Sequence, residues 1–248
     1  MTDRKPRSIN EVQAHRGASA VAPENTIAAF RAARDQGARW VELDVALLAD
    51  GTPVVIHDVT LDRTSNRHGS LGAITRADLA GIDAGSWFGA GFAGERLSTL
   101  PEILDALAGF GLSVNVEIKQ HEHHKSLAQL TDTVHGCLVD HRGRTQVMIS
   151  SFDPDCLRAM HRLDPSYELA MLWSDLPPDW IERLKSIPSR VVHLDYRALS
   201  YRALDIAREH GIKMRVWTCN NPAQIEPFWA EGLDAVITDN PSLFLSPT

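Results

Sequence analysis

Short apolar segments alternate with longer, helix-like segments along the whole chain, and this alternation limits the folds that the chain can adopt. Eight apolar segments have the length of a strand; they lie near residues 12–16, 40–48, 114–120, 146–152, 168–172, 191–195, 213–218 and 235–239. Strands that alternate with helices are typical of parallel βα units, and a count of eight favours a closed (β/α)8 barrel, the TIM barrel. An open, doubly wound sheet is the alternative, but no GxGxxG or Walker loop follows any of these segments.

Capping signals between the strands predict where helices begin and end. Asn25 is a candidate N-cap for a helix over residues 27–36, which Gly37 would end. Thr99 and Glu102 have the spacing of a capping box, so a helix is expected from there through Leu107. Two further helices are expected at 199–210 and 222–231, because a glycine follows each of them.

Length, composition and charge limit the class of protein. The 248 residues, 44% hydrophobic and 23% charged, are typical of a globular protein, and we interpret 1–248 as one domain. The net charge of −7 provides no basic field, so nucleic acid is not an expected partner. No segment has the length and apolarity of a membrane span, so stable membrane association is not expected either. The oligomeric state is left open.

The cysteines and the N-terminus predict a compartment. Cys137, Cys156 and Cys219 are odd in number and lack the spacing of a disulfide framework or a metal site, which indicates reduced thiols. Residues 1–11 are polar and charged, without the apolar run of a secretory signal. We therefore expect a cytoplasmic protein.

The interval between His57 and Thr99 is longer than one barrel connection requires. It is rich in glycine, serine and aspartate, and it follows a short extension of the second strand segment. Loops of this length are uncommon in compact domains unless they are functional. We interpret residues 58–98 as an inserted subdomain over the barrel mouth, which either caps the structure or shapes access for a substrate.

Polar residues alternate with aliphatic ones along two of the strand segments. Glu42 and Asp44 do so in the second segment, and Asn115, Glu117 and Lys119 do so in the third. Because residues two apart in a strand share a face, each set points to one side. The aliphatic sides would pack on helices, so the polar sets face into the barrel and converge at its C-terminal mouth. Active sites of this fold lie at that mouth.

The three carboxylates among these residues predict a metal site. Ionised groups are very costly to bury without partners, and salt bridges from Arg16 and Lys119 would satisfy at most two of the three acids. Glu42, Asp44 and Glu117 offer oxygen ligands without a thiolate, which favours Mg²⁺ or Ca²⁺ over Zn²⁺. A purely structural set of salt bridges is the alternative interpretation.

Two histidines end strand segments close to these acids in sequence. His15 ends the first segment and His57 ends the extension of the second. Histidine titrates near neutral pH, so a pair can serve as general base and general acid. Arg16 and Lys119 carry the charge needed to hold phosphoryl oxygens, arginine in a bidentate manner and lysine as a point charge.

These residues belong to an ordered set of motifs that resembles the glycerophosphodiester phosphodiesterase family. The set spans nearly the whole chain and consists of His15-Arg16-Gly17, Pro23-Glu24-Asn25-Thr26, Glu42-Leu43-Asp44-Val45, His57-Asp58, Asn115-Val116-Glu117-Ile118-Lys119, Ser150-Ser151-Phe152, Val216-Trp217-Thr218 and Thr238-Asp239-Asn240-Pro241. Each motif is weak by itself, but their common order is specific. The short length is similar to that of the compact cytoplasmic bacterial members.

The resemblance implies a TIM barrel with a segment inserted after the second strand, in agreement with the interval at 58–98. It also implies a role for each candidate residue: metal ligands Glu42, Asp44 and Glu117, an acid–base pair His15 and His57, phosphate contacts Arg16 and Lys119, and Trp217 lining the site.

The reaction that the resemblance implies is metal-dependent hydrolysis of small glycerophosphodiesters to sn-glycerol 3-phosphate and an alcohol. One histidine would deprotonate the glycerol hydroxyl beside the phosphodiester, and that oxygen would attack phosphorus. The other histidine would protonate the departing alcohol, and water would then open the cyclic phosphate.

Two other functions compete with this reading. A lysophospholipase D or phospholipase-like activity would need an apolar surface, for which the insert offers Trp87, Phe88 and Phe92. A non-catalytic phosphate-binding barrel would lack one of the histidines or acids. Since none is missing, it ranks last.

Overall fold

The structure is a computed structural model that describes residue 8, residues 10–123 and residues 126–245. The strands are β1 (Val12–Ala14), β2 (Trp40–Leu47), β3 (Pro53–Val55), β4 (Ser113–Ile118), β5 (Val147–Ser151), β6 (Glu168–Trp173), β7 (Val191–Asp195), β8 (Lys213–Trp217) and β9 (Ala235–Thr238). The helices are α1 (Ile27–Asp35), α2 (Leu100–Phe110), α3 (Leu127–Asp140), α4 (Pro154–Leu163), α5 (Trp180–Lys185) and α6 (Tyr201–Glu209).

All strands except β3 form a closed parallel barrel. The sheet runs β1-β9-β8-β7-β6-β5-β4-β2-β3, and β1 also pairs with β2, which closes the ring. All eight strands expected from the sequence are present, and the TIM barrel is confirmed. β3 is the short extension: it pairs antiparallel with β2 and lies outside the ring.

Helix boundaries follow local capping chemistry, with one correction to the sequence reading. The capping box of α2 is present, because Glu102 accepts a hydrogen bond from the Thr99 backbone N–H at 2.8 Å. The expected N-cap of α1, Asn25, is wrong. Thr26 is the cap, and its side chain accepts from the Ala29 N–H at 3.3 Å.

The helix expected at 222–231 does not form. Only two short 3-10 helices, Pro222–Gln224 and Glu226–Phe228, lie between β8 and β9. A proline is tolerated in the first turn of a helix, but Pro227 would stand in its interior. There it lacks an N–H and its ring clashes with the preceding turn. Gly232, the predicted end of this helix, lies instead in the loop before β9.

Buried apolar side chains form a main core and a second cluster. The main core lies between the barrel strands and the surrounding helices. The second cluster joins the β2–β3 hairpin to residues 58–98, and its members are Ala46, Leu48, Val54, Ile56, Leu61, Leu71, Ile74, Leu79, Ile82, Ala84 and Leu97. The segment 58–98 therefore has apolar packing of its own. It contains three short 3-10 helices, Leu71–Ala73, Arg76–Gly81 and Ala90–Phe92, of which the first two contribute Leu71 and Leu79 to the cluster.

Candidate active site

Three carboxylates meet at the C-terminal end of the barrel. In the register of β2 and β4, Asp44 lies opposite Glu117 and Glu42 lies opposite Asn115. One ligand oxygen from each of Glu42, Asp44 and Glu117 lies within 4.8 Å of the other two. Glu42 Oε1 and Asp44 Oδ1 are buried and have no hydrogen-bond partner among the described residues. These all-oxygen ligands with free positions fit a hard divalent cation.

Asp44 is the most heavily contacted of the three acids. Arg16 Nε lies 3.1 Å from Asp44 Oδ2, and Lys119 Nζ lies 3.6 Å from Asp44 Oδ1. Asn25 Nδ2 donates to Asp44 Oδ2 at 2.9 Å. Lys119 also donates to Glu117 at 2.7 Å. The salt bridges considered as a structural alternative are therefore present, yet Glu42 Oε1 stays buried without a hydrogen-bond partner among the described residues.

The pKa shifts of the cluster report an excess of negative charge. Burial and the carboxylates of Asp44 and Glu117 raise the pKa of Glu42 well above its ordinary value. Burial and Asp44 likewise raise the pKa of Glu117, although Lys119 opposes this shift. Burial would also raise the pKa of Asp44, but Arg16 and Lys119 outweigh it and lower that pKa. A cation among the three acids would stabilise their ionised forms.

His15 is anchored by the barrel itself. Its Nδ1 lies 2.7 Å from Asp239 Oδ1, just after β9. Ser19 donates to the same oxygen at 2.9 Å, and Asn220 donates to Asp239 Oδ2 at 2.6 Å. Burial would raise the pKa of Asp239, but the hydrogen bond and charge of His15 outweigh it and lower that pKa to about 2. Asp239 is therefore ionised near neutral pH and fixes the orientation of the His15 ring.

His57 is anchored by the insert. Its Nδ1 lies 2.7 Å from Asp58 Oδ1. Arg63 donates to both oxygens of Asp58, at 2.7 and 3.0 Å. The same guanidinium donates to both oxygens of Glu24, at 2.6 and 2.8 Å. Glu24 in turn accepts from Arg16 Nη1 at 2.8 Å. One arginine from the insert thus connects His57 with Arg16.

The backbone around Arg16 is held in an uncommon conformation. Arg16 and Asn25 have φ values of +55° and +60°, a region that residues other than glycine seldom adopt. The Arg16 N–H donates to Glu42 Oε2 at 2.9 Å, and its carbonyl accepts from the Asn25 N–H at 2.9 Å. At Gly17, a Cβ would lie 2.6 Å from the backbone carbon of Ala29. Only glycine therefore permits α1 to pack this close to the site.

A cavity of about 170 Å³ opens beside the carboxylates. Trp217 lines it, donates from Nε1 to the carbonyl of His193 at 3.2 Å, and packs edge-to-face against Phe152 with ring centroids 5.7 Å apart. The lining consists of His15, Arg16, Glu42, His57, Asn115, Glu117, Lys119, Ser150, Phe152, Leu172, His193, Trp217, Thr218 and Ile237. Among the described residues, none of 58–98 belongs to this lining.

All eight residues singled out from the sequence lie at this one end of the barrel: His15, Arg16, Glu42, Asp44, His57, Glu117, Lys119 and Trp217. No role was predicted from the sequence for the side chains that orient the two histidines, namely Asp58, Asp239 and Arg63. Asp58 and Asp239 stand inside quoted motifs, and the position of Asp58 directly after His57 was an available signal. Arg63 had none, because it lies in a long polar segment.

The geometry defines the class of protein. It is a TIM-barrel hydrolase whose site combines a carboxylate cluster with two histidines that are each bound to an aspartate. The model of the glycerophosphoryl diester phosphodiesterase family matches residues 15–243. The chain therefore belongs to the glycerophosphoryl diester phosphodiesterase family.

Individual relatives match over nearly the whole chain. A glycerophosphodiester phosphodiesterase of Caldanaerobacter subterraneus is 34% identical over 236 residues, which cover 95% of this chain and 96% of the relative. One of Bacillus subtilis is 32% identical, with 93% and 84% covered. A solved phosphodiesterase structure from Oleispira antarctica, in complex with the product sn-glycerol-3-phosphate, has a TM-score of 0.89 and 32% identity, with 94% of each chain covered.

Among the described residues, no helix has both the length and the apolarity needed to cross a bilayer.

Proposed function

We propose that this protein hydrolyses glycerophosphodiesters to sn-glycerol 3-phosphate and an alcohol. The observation that carries the proposal is the position of His15 and His57. Both line one cavity with the carboxylate cluster, and each is bound through Nδ1 to an aspartate. Each ring therefore leaves Nε2 for proton transfer, and the two face a common substrate. The product bound by the Oleispira relative fits the same reaction.

The metal that this reaction needs would be held by Glu42, Asp44 and Glu117. We propose Mg²⁺ or Ca²⁺, because the ligands are carboxylate oxygens, and Glu42 Oε1 and Asp44 Oδ1 are buried without a hydrogen-bond partner among the described residues. When bound, the cation supplies positive charge that stabilises the phosphoryl oxygens and the ionised carboxylates.

The protein's own residues would carry the proton transfers. One histidine removes the proton of the glycerol hydroxyl next to the phosphodiester, and that oxygen attacks phosphorus. The other histidine protonates the departing alcohol, and water then opens the cyclic phosphate. Arg16 and Lys119 stabilise the charge on the phosphoryl oxygens. Trp217 and Phe152 form the apolar wall beside them.

The insert would support this chemistry from outside the cavity. Its location over the mouth stays a prediction, and so does its role as a subdomain. What supports a role is Arg63, which holds Asp58 and Glu24 with two hydrogen bonds each. Through them the insert fixes the orientation of His57 and of Arg16. We propose that residues 58–98 act by positioning these two side chains.

We also propose that the protein acts on a small molecule and that it is located in the cytoplasm. The cavity admits a small-molecule glycerophosphodiester, and no feature of the site requires nucleic acid. The cysteines Cys137, Cys156 and Cys219 are free, which fits a reducing compartment such as the cytoplasm.

Phosphorus NMR of the products tests the function. Purified protein with Mg²⁺ or Ca²⁺ is expected to convert glycerophosphocholine into glycerol 3-phosphate and choline. Release of phosphocholine and glycerol would mean cleavage of the other ester bond and would overturn the proposal. Lysophosphatidylcholine is the matched second substrate. A preference for it over glycerophosphocholine would favour the lysophospholipase D alternative, with the edge-to-face pair Trp87 and Phe88 as the first lipid contact to test.

A further inference from the structure

Three buried polar side chains that line the catalytic cavity have no assigned task. Asn115 on β4, Ser150 on β5 and His193 on β7 all line the cavity. Each is at most 1% exposed. We call these three side chains the polar floor.

The polar floor has unused hydrogen-bonding capacity. Asn115 Oδ1, Ser150 Oγ and both ring nitrogens of His193 are buried without a hydrogen-bond partner among the described residues. Buried polar groups nearly always have partners, because leaving one unpaired is costly. Several such atoms around one cavity therefore indicate a place where a ligand supplies the missing bonds.

The register of the strands locates Asn115 and Ser150 of the polar floor next to the metal carboxylates. Asn115 lies opposite Glu42, and Ser150 lies opposite Glu117 on the neighbouring strand. His193 lies opposite Leu172, which also lines the cavity. A ligand whose phosphate sits at the carboxylates would therefore reach the floor with the next few atoms of its skeleton.

The chemistry of the floor selects a neutral hydroxyl group. Asn115 Oδ1 accepts, a serine hydroxyl donates and accepts, and a neutral imidazole has one donor and one acceptor. Burial, together with the nearby charge of Arg215, holds the pKa of His193 well below its ordinary value, so its ring is neutral. A phosphate or carboxylate only accepts and would meet Asn115 Oδ1 unfavourably. A quaternary ammonium group neither donates nor accepts.

We propose that the polar floor binds the terminal hydroxyl of the glycerol moiety, the one that takes no part in the reaction. The inference rests on the proposed function and deepens it. The glycerol moiety of the substrate enters the cavity first, and its terminal hydroxyl bonds to Ser150 and His193. The middle hydroxyl stays near the histidines and the phosphate stays near Arg16 and Lys119. The apolar side chains of Leu172 and Ile237 border the carbon skeleton, and the departing alcohol points outward past Trp217.

The test compares two substrates that differ by one hydroxyl. Glycerophosphocholine carries the terminal hydroxyl, and its 1-deoxy analogue has a methyl group there and keeps the middle hydroxyl. The wild-type protein is expected to prefer glycerophosphocholine in kcat/KM by about 10–100-fold, the scale of one buried hydrogen-bonding group left without its partner. Ser150→Ala and His193→Phe should each reduce this ratio severalfold toward one.

Ser151→Ala is the matched control. Ser151 is buried on the same strand, but its Oγ donates to the Ile118 carbonyl at 3.1 Å and it does not line the cavity. Its substitution should leave the preference ratio at the wild-type value. Thermal melting adds a second readout: losing an unpaired polar atom should not lower the melting temperature of Ser150→Ala, whereas losing the Ser151 bond should.

The outcomes separate the two proposals. If neither substrate is cleaved, the proposed function fails. If wild type cleaves both with equal kcat/KM, or if Ser150→Ala and His193→Phe both keep the full ratio, the function stands and the hydroxyl site is overturned. Should His193→Phe not fold, the substrate comparison in wild type and in Ser150→Ala decides.

Discussion

The two histidines are held in the same way by different parts of the molecule. In both, Nδ1 lies 2.7 Å from an aspartate oxygen. On the His15 side the aspartate is Asp239, which follows barrel strand β9 and is held by Ser19 and Asn220. On the His57 side the aspartate is held by Arg63, which belongs to the insert.

One half of the site is therefore built by the barrel, and the other half depends on the insert at residues 58–98. The barrel half is stabilised by the parallel sheet, which continues around the ring. The insert half is stabilised by its own apolar cluster and by an arginine whose side chain is 45% exposed. The orientation of His57 should therefore be the easier of the two to disturb.

Removing either ring should have the largest effect. His15→Ala and His57→Ala are each expected to lower kcat by about a hundredfold or more, the usual scale for a general acid or base. The double variant should lose little more than a single one, because the two groups act on one reaction as a unit. Steady-state kinetics on glycerophosphocholine measure this. A single variant that keeps near wild-type kcat would remove that histidine from the chemistry.

Removing Arg63 should disturb His57 and Arg16 and leave the contact between His15 and Asp239 in place. Arg63→Ala is expected to lower kcat by about tenfold, because misplacing a catalytic group slows the reaction without removing the group. Arg63→Lys should not restore the rate, because lysine cannot hold two carboxylates in a bidentate manner.

Asp62→Asn provides the control for Arg63. Asp62 is its sequence neighbour, and its described partners lie within the insert: it accepts from the Gly69 N–H at 3.2 Å and lies 3.1 Å from His68 Nδ1. If Asp62→Asn slowed the reaction as much as Arg63→Ala, the effect would come from general damage to the insert. The proposed link to His57 would then be lost.

The smallest expected effect is a shift in pH dependence. Burial lowers the pKa of His57 below its ordinary value, and the hydrogen bond to Asp58 opposes this by favouring the protonated ring. Asp58→Asn should therefore lower that pKa further. The limb of the kcat/KM profile that His57 controls, measured from about pH 5 to 8, should move to lower pH; it is the acid limb if His57 is the general base and the alkaline limb if it is the general acid. Movement to higher pH would contradict this reading, and Asp62→Asn should leave the limb unchanged.

Much of the fold could be predicted because strand and helix periods are local properties. All eight barrel strands were present in the sequence as short apolar runs, and the Thr99 capping box was correct. The helix predicted at 222–231 is absent because Pro227 would stand in its interior, and the glycine at its end cannot offset that. Thr26 caps α1 in place of Asn25, whose side chain donates to Asp44, 19 positions away on β2, a contact that no local signal contains.

The residues of the candidate site likewise divide into those that a local sequence pattern predicts and those that depend on long-range packing. The alternation of Glu42 with Asp44 predicted a shared inward face, since side chains alternate along a strand. The bridge from Arg63 to Glu24 joins residues 39 positions apart, so it depends on the packing of the insert. For the polar floor, the alternation in the third segment predicted that Asn115 faces into the barrel, but no ligand site with Ser150 and His193 was predicted, because a serine or histidine in a strand is not unusual in sequence. Only the structure shows that their polar atoms face one cavity.

Metal-dependent turnover of glycerophosphocholine is the most direct measurement on this site. Protein treated with EDTA and then dialysed is expected to be inactive, and Mg²⁺ or Ca²⁺ should restore release of glycerol 3-phosphate. Glu42→Gln, Asp44→Asn and Glu117→Gln should each lose most activity at every metal concentration while their circular dichroism stays that of the wild type. Full turnover in excess EDTA, or wild-type activity in any of these three variants, would contradict a metal-assisted reaction at these carboxylates.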